Sequence, residues 1–197
     1  RKNNYSVDDI LASPMVSWPL RELEIAPISK GGAALVLASE EKTRELTDDP
    51  LWLTGVGGGS NQYYGDWPGL LEMNGLRRAC KNAYKLAGVT DPAAELDVVE
   101  IFNPFSSFEV PAAEALGLCQ KDQALDMLLQ KDKKINASGG SLSANPPGCG
   151  GIYRTIQGIN NLKKDEKAQR AVIQDSDINL GFFGETYHVL VMEKGGK

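Results

Sequence analysis

Residues 135–151 read INASGGSLSANPPGCGG, and this stretch limits the fold more than any other. It holds five glycines, two prolines, two asparagines, three serines and one cysteine. Such a stretch cannot continue as helix or strand, because proline removes a backbone donor and glycine weakens both elements. It must be an irregular loop, and the GGIYRTIQGINNLKK that follows reads as a helix starting near Gly150. A loop feeding a helix N-terminus presents unpaired N–H groups, which suit an oxyanion or a thioester carbonyl. A tight structural crossover has the same composition, so the residue pattern alone leaves both readings open.

The rest of the chain supplies strands and helices in alternation. AALVLAS (Ala33–Ser39) reads as a buried strand, and EEKTREL as a short helix stopped before Pro50. LWLTGVGGGS reads as a strand ending in glycines. Its GVGGGS lacks the third glycine or alanine of a dinucleotide loop and the lysine of a Walker loop, so a strand-end turn is expected. Leu76, Ala79, Cys80, Ala83 and Ala87 follow helical spacing over about 70–86, with Gly88 at the stop. ELDVVEIF is a strand. SFEVPAAEALGL and DQALDMLLQK are helical, Gly117 closing the first. Ser106 or Ser107 with Glu109 resembles a capping arrangement, and Phe102 and Phe105 read as packing residues. AVIQ, DINLGFF and TYHVLVMEK read as strands with a turn near Gly184. The pattern predicts an α/β layer fold with a mixed sheet flanked by helices. Residues 1–30 read as an extended lead-in and 31–197 as one domain.

Composition excludes several classes. Hydrophobic residues make up 42% and charged residues 24%, enough for a proper core. The net charge is -5, and the only basic cluster is Lys131, Lys133 and Lys134, read as a solvated turn, so no nucleic-acid partner is expected. The longest apolar run is far short of the ~20 residues of a membrane span. Nothing resembles a secretory signal. Cys80, Cys119 and Cys149 follow no paired spacing, so no metal is expected, and a reducing, cytoplasmic setting is. Cys80 falls on a helix's apolar face and Cys119 after a helix end; both read as inert. Cys149 opens a helix, where a thiolate is favoured, and is the one reactive candidate. His188, the single histidine, alternates with hydrophobics on a strand and reads as structural. The chain opens on Arg1 rather than Met and is expected to be a fragment or a processed product.

Four segments in one order, ISKGGAALVLAS, VEIFNPFSSFE, NASGGSLSANPPGCGG and INLGFFGETYHVLV, resemble the C-terminal half of the thiolase superfamily. The likeness is to the sterol-carrier-protein and lipid-transfer-protein types and covers nearly the whole chain. It implies half of a layered αβαβα fold, and the activity of an acyl-CoA enzyme that forms or cleaves a C–C bond beside a thioester, by acyl transfer, thiolysis or retro-aldol chemistry. Coenzyme A enters as the thioester substrate, with no covalently bound cofactor. The departures matter. Against a family pattern like HDCF, this chain has Phe102 at the His, Asn103 at the Asp and Pro104 at the Cys. Against GHPxGATG it has Asn145 at the His. The resemblance then implies Asn145 as an oxyanion-hole donor without proton transfer, Asn103 as a holder of water or a substrate group, and Ser138, Gly139, Gly140, Ser141 and Gly148 as contacts for the CoA arm. It also implies an N-terminal half carrying the nucleophile, so that this half is not competent alone. A homo- or hetero-dimer and a small OB-fold or zinc-ribbon subunit are the implied protein partners. The alternative is a non-catalytic thiolase-like scaffold subunit of a heteromeric acyl-CoA complex.

Overall fold

A computed structural model describes residues 4–61, 71–130, 134–177 and 186–195. The helices among them are α1 (Val7–Ala12), α2 (Glu40–Leu46), α3 (Asn74–Ala87), α4 (Pro92–Glu95), α5 (Glu109–Ala115), α6 (Ala124–Gln130), α7 (Gly140–Ser143) and α8 (Gly150–Lys164). Strands β1 (Met15–Ser17) and β2 (Leu20–Arg21) form a small antiparallel pair. The strands β3 (Leu51–Ser60), β4 (Val98–Ile101), β5 (Lys134–Ile135), β6 (Arg170–Asp177) and β7 (Thr186–Lys194) form a mixed sheet in the order β3-β7-β6-β4-β5. β4 runs parallel to β5 and β6, whereas β7 is antiparallel to β6 and β3.

Period-two alternation divides the sheet between two cores. Val99, Ile101, Val172, Tyr187, Val189 and Val191 face α3 and α5; Val98, Ala171, Ile173 and Met192 face α8 and its Leu162. All these side chains are buried. At roughly 1.5–3 kcal/mol for each large one removed from water, they supply the main drive to close both layers. The chain passes from β4 to β5 over one face and returns from β5 to β6 through α8 on the other. Both crossovers end with the C-terminal edges of three parallel strands side by side, where ligands bind in open α/β sheets.

Much of the expected order is present. The buried face of α3 is Gly75, Leu76, Ala79, Cys80, Ala83, Tyr84 and Ala87, and Gly88 ends the helix in the left-handed region at φ +69°. Gly117 closes the α5 segment in the same way at φ +74°. Four expectations fail. GVGGGS is not a turn: β3 runs through Ser60, because Gly55, Gly57 and Gly59 face the backbone of α3. A Cβ on any of them would fall inside 3.0 Å of a carbonyl of Ala83, Ala79 or Gly75. Strand glycines at period two thus meet small helix residues at period four, and the two backbones touch.

Ala33–Ser39 is not a buried strand. It forms no ladder, and Val36 and Leu37 are 94% and 79% exposed. A β-prone run becomes a strand only when another strand pairs with it and a face covers it, and the described residues supply neither. The lead-in is not simply extended, since it folds α1 and the β1–β2 pair. The expected Ser–Glu cap before α5 does not form either. The Ser106 hydroxyl donates to Glu24 at 3.0 Å, and Glu109 accepts from two asparagine side chains instead. Of the expected DINLGFF strand only Asp177 is described, as the last residue of β6; the rest of it, the turn near Gly184, Lys131 and Lys133 lie outside the described residues. No helix among the described residues is long and apolar enough to cross a membrane.

Candidate active site

The glycine-rich loop leaves β5, makes the single turn of α7 and enters α8. Its first half is fastened to the ends of β4 by buried polar side chains. Asn136 takes a left-handed φ of 47°, accepts from the Ile101 N–H at 2.7 Å and donates to Glu109 at 2.6 Å. Asn103 donates to the same Glu109 oxygen at 2.7 Å and accepts from the Ser141 N–H at 2.6 Å. Glu100, fully buried on β4, accepts from the Ser138 hydroxyl at 2.6 Å and from Asn161 of α8 at 2.9 Å. Burial pushes the Glu100 carboxyl above its ordinary pKa, and the Ser138 and Asn161 hydrogen bonds and the nearby Arg154 charge oppose the shift only in part. Gly140 sits at φ +56° against the Asn103 carboxamide, leaving no room for a side chain.

The second half of the loop lines an open cavity of about 470 Å³. Phe102, Asn145, Gly148, Arg154, Asp175 and His188 contribute to its wall. Asn145 is held through its backbone, which exchanges bonds with Ser29: Ser29 N–H to the Asn145 carbonyl at 3.1 Å and Asn145 N–H to the Ser29 hydroxyl at 3.2 Å. Its side-chain amide makes no hydrogen bond to the described residues and remains available to a ligand. Gly150 and Gly151, also in the wall, belong to the first turn of α8, whose leading N–H groups have no intrahelical partner.

The floor of the cavity is a charge the sequence reading missed. Arg154 of α8 is 4% exposed. Its guanidinium pairs with Asp175 at the end of β6, donates to the buried Ser141 hydroxyl at 2.6 Å and stacks over the Phe102 ring, 4.6 Å from its centroid. Burial lowers its pKa and the Asp175 charge opposes that shift; an arginine so paired stays charged. Its Nε is buried without a partner among the described residues. The signal in the sequence was the buried stripe of α8 (Arg154, Thr155, Gly158, Leu162), where a long cation among small and apolar residues needs an anion nearby.

Of the residues singled out from the sequence, Asn145 and Gly148 line the cavity. Asn103 is 2% exposed with both ends of its carboxamide engaged, and Ser141 is fully buried under Arg154; neither opens onto the cavity. Ser138, Gly139 and Gly140 form the turn that anchors the loop to Glu100 and Asn103. Asn145 and Asn103 therefore sit in one loop system but face different surroundings. Cys80 is buried, and its thiol is pushed up to about 12. Burial also raises Cys119. Cys149 holds the N-cap position of α8 without a side-chain cap bond, and its Sγ lies 3.6 Å from the Gly31 carbonyl. His188 does not enter the core: alternation sends Tyr187 and Val189 inward and its own ring to the cavity. Among the described residues, no group of three His, Cys, Asp or Glu side chains is arranged to hold a metal ion.

Comparison with known proteins agrees with this fold. A family model described as thiolase C-terminal domain-like matches residues 58–182. The chain is 27% identical to an acetyl-CoA acetyltransferase of Methanothermobacter thermautotrophicus over 96% of this chain and 51% of that protein. It is 28% identical to sterol carrier protein 2 of Gallus gallus over 93% of this chain and 36% of that protein. It is also 28% identical to a steroid side-chain-cleaving aldolase of Thermomonospora curvata over 88% and 45%. A solved Ltp2-ChsH2(DUF35) aldolase shares the fold, with a TM-score of 0.79 at 18% identity over 96% of this chain and 51% of that one. The chain thus spans about half, or less, of the length of the relatives it matches. The mixed sheet, the loop anchored on β4 and the family match together establish that this chain belongs to the thiolase C-terminal domain-like family.

Proposed function

We propose that this chain is the C-terminal half of an acyl-CoA enzyme that forms or cleaves a C–C bond next to the thioester. The observation that carries this reading is the free carboxamide of Asn145 in the wall of a cavity that also holds the first turn of α8. A carboxamide N–H and helix N-terminal N–H groups are the donors an enolate or a tetrahedral oxyanion needs. Asn145 donates to the thioester oxygen and Gly148 borders the CoA arm. Ser138, Gly139, Gly140, Ser141 and Asn103 hold the loop in the shape that keeps those donors converging.

The nucleophile, where the reaction uses one, comes from an N-terminal half. The exposed run Ala33–Ala38 supports such a half, because an apolar β-prone segment open to water is a strand awaiting its sheet. The same half and a second copy together account for a dimer. The ChsH2(DUF35) component of the aldolase neighbour makes an accessory subunit of OB-fold or zinc-ribbon type the further expectation. Phe102 and Asn145 at the positions of family histidines favour retro-aldol or related cleavage over thiolysis, because fewer proton transfers are asked of the loop.

One observation favours a second reading. The same two replacements suit a non-catalytic subunit that completes a partner's fold. Asn145→Ala in the full-length protein separates the two. Loss of one oxyanion donor lowers turnover by about 10²–10³, whereas a scaffold subunit leaves its partner's turnover unchanged.

A further inference from the structure

We propose that His188 is the proton-transfer group of this site, exchanging a proton with the carbon beside the thioester carbonyl. The proposal rests on the acyl-CoA reading above and adds to it the acid/base group that the loop lacks. The positions that resemble family histidines hold Phe102 and Asn145, neither of which can carry a proton. The chain's only imidazole nevertheless lines the cavity that Asn145 lines. It comes from the sheet rather than from the loop.

Its surroundings suit the task. His188 is exposed and neither of its ring nitrogens makes a hydrogen bond or ion pair to the described residues. On β3 its cross-strand partner is Gly58. A Cβ there would come only to 4.0 Å from the ring nitrogen Nδ1, so the neighbouring strand leaves the imidazole uncrowded. On β6 its partner is Asp175, whose carboxylate is already paired with Arg154 of α8. Asp177 lies further along the same strand edge and also lines the cavity. Among the described residues, the charged groups lining the cavity with the ring are two carboxylates and one guanidinium, and the guanidinium pairs with the Asp175 carboxylate. Histidine is the side chain suited to both accept and return a proton in the neutral range.

The step balances as follows. In retro-aldol cleavage, the hydroxyl on the far carbon of the breaking bond gives its proton to solvent as that carbon becomes the new carbonyl, and the electron pair of the C–C bond comes to rest on the carbon beside the thioester, as an enolate whose oxygen accepts from Asn145. Imidazolium gives its proton to that carbon and becomes neutral imidazole. In the forming direction neutral imidazole removes the same proton. Either direction passes through the enolate, so the half-step can be read alone: imidazole takes a proton from acetyl-CoA, exchanges it with solvent and returns a deuteron.

The test is loss of the acetyl protons of acetyl-CoA in deuterated buffer, followed by NMR, in the full-length protein. His188→Gln should slow this exchange by about 10²–10⁴-fold, as removal of a general base does, with calorimetric affinity for acetyl-CoA unchanged. Free imidazole should restore exchange to His188→Ala. Exchange that persists at the unsubstituted rate in His188→Gln overturns the proposal and leaves the acyl-CoA reading intact. So does an unsubstituted protein that binds acetyl-CoA but exchanges no protons. A full-length protein that binds no acetyl-CoA overturns the acyl-CoA reading, and the role of His188 falls with it.

Discussion

Replacing Arg154 by Met tests whether the floor of the cavity is an ionic assembly or a packing accident. The side chain is 4% exposed and makes three contacts that methionine cannot make. Losing its hydrogen bond strands the Ser141 hydroxyl, which is fully buried, at about 1–3 kcal/mol. Losing the stack on Phe102 removes about 0.5–2 kcal/mol. Removing one partner of a buried ion pair costs about 3–5 kcal/mol, but the Asp175 side chain is 28% exposed and regains water, so the lower part of that range applies. Methionine also relieves a desolvated guanidinium whose Nε has no partner among the described residues, which offsets part of the loss. These contributions overlap, and the net destabilisation expected is about 2–4 kcal/mol. The assay is urea unfolding of the full-length protein, read as a lower midpoint at constant slope. A cycle with Asp175→Asn should return a coupling of about 0.5–3 kcal/mol. A loss below about 1 kcal/mol with no coupling would refute the reasoning, because Arg154 would then behave as a surface residue.

Glu100→Gln tests the buried anchor of the loop. The carboxyl pKa is raised in the folded protein, so its ionisation is disfavoured there relative to the unfolded chain. The stability it contributes is fully present below the ordinary glutamate range and is lost as pH rises through the raised value. Relative to the unsubstituted protein, Glu100→Gln should therefore become more stable as pH rises above about 4.5. Chemical unfolding at several pH values reads this, and a difference that does not change with pH contradicts it. On the sheet, Gly57→Ala pushes a methyl into the Ala79 carbonyl and should cost about 1–3 kcal/mol or more. Gly58→Ala meets only the His188 ring and should unfold at close to the original temperature. Equal melting temperatures for the two would mean that β3 and α3 are not in backbone contact.

The sequence made the layer order and the α8 loop legible because each rests on local chemistry. Two prolines and a glycine before an apolar-periodic run can only be a loop entering a helix, and α8 begins at Gly150 as expected. The stripe of α3 was readable for the same reason. The errors arose where a distant surface decides. A run of glycines means a turn when considered alone, yet Gly55, Gly57 and Gly59 continue a strand because a helix backbone presses on them. Ala33–Ser39 has strand composition, but composition does not supply the strand that must pair with it. Alternation placed His188 on one face of β7 without telling what covers that face. Arg154 looked like one more helix residue until Asp175 and Ser141, far apart in sequence, were brought to it.

The central claim, that this half carries acyl-CoA contacts centred on Asn145, is tested most directly by calorimetric titration of acetyl-CoA into the full-length protein and its Asn145→Ala variant. The account predicts saturable binding that weakens in the variant by about 0.5–1.5 kcal/mol, the contribution of one hydrogen bond. Identical binding isotherms for the two proteins, or no heat from either, would contradict it.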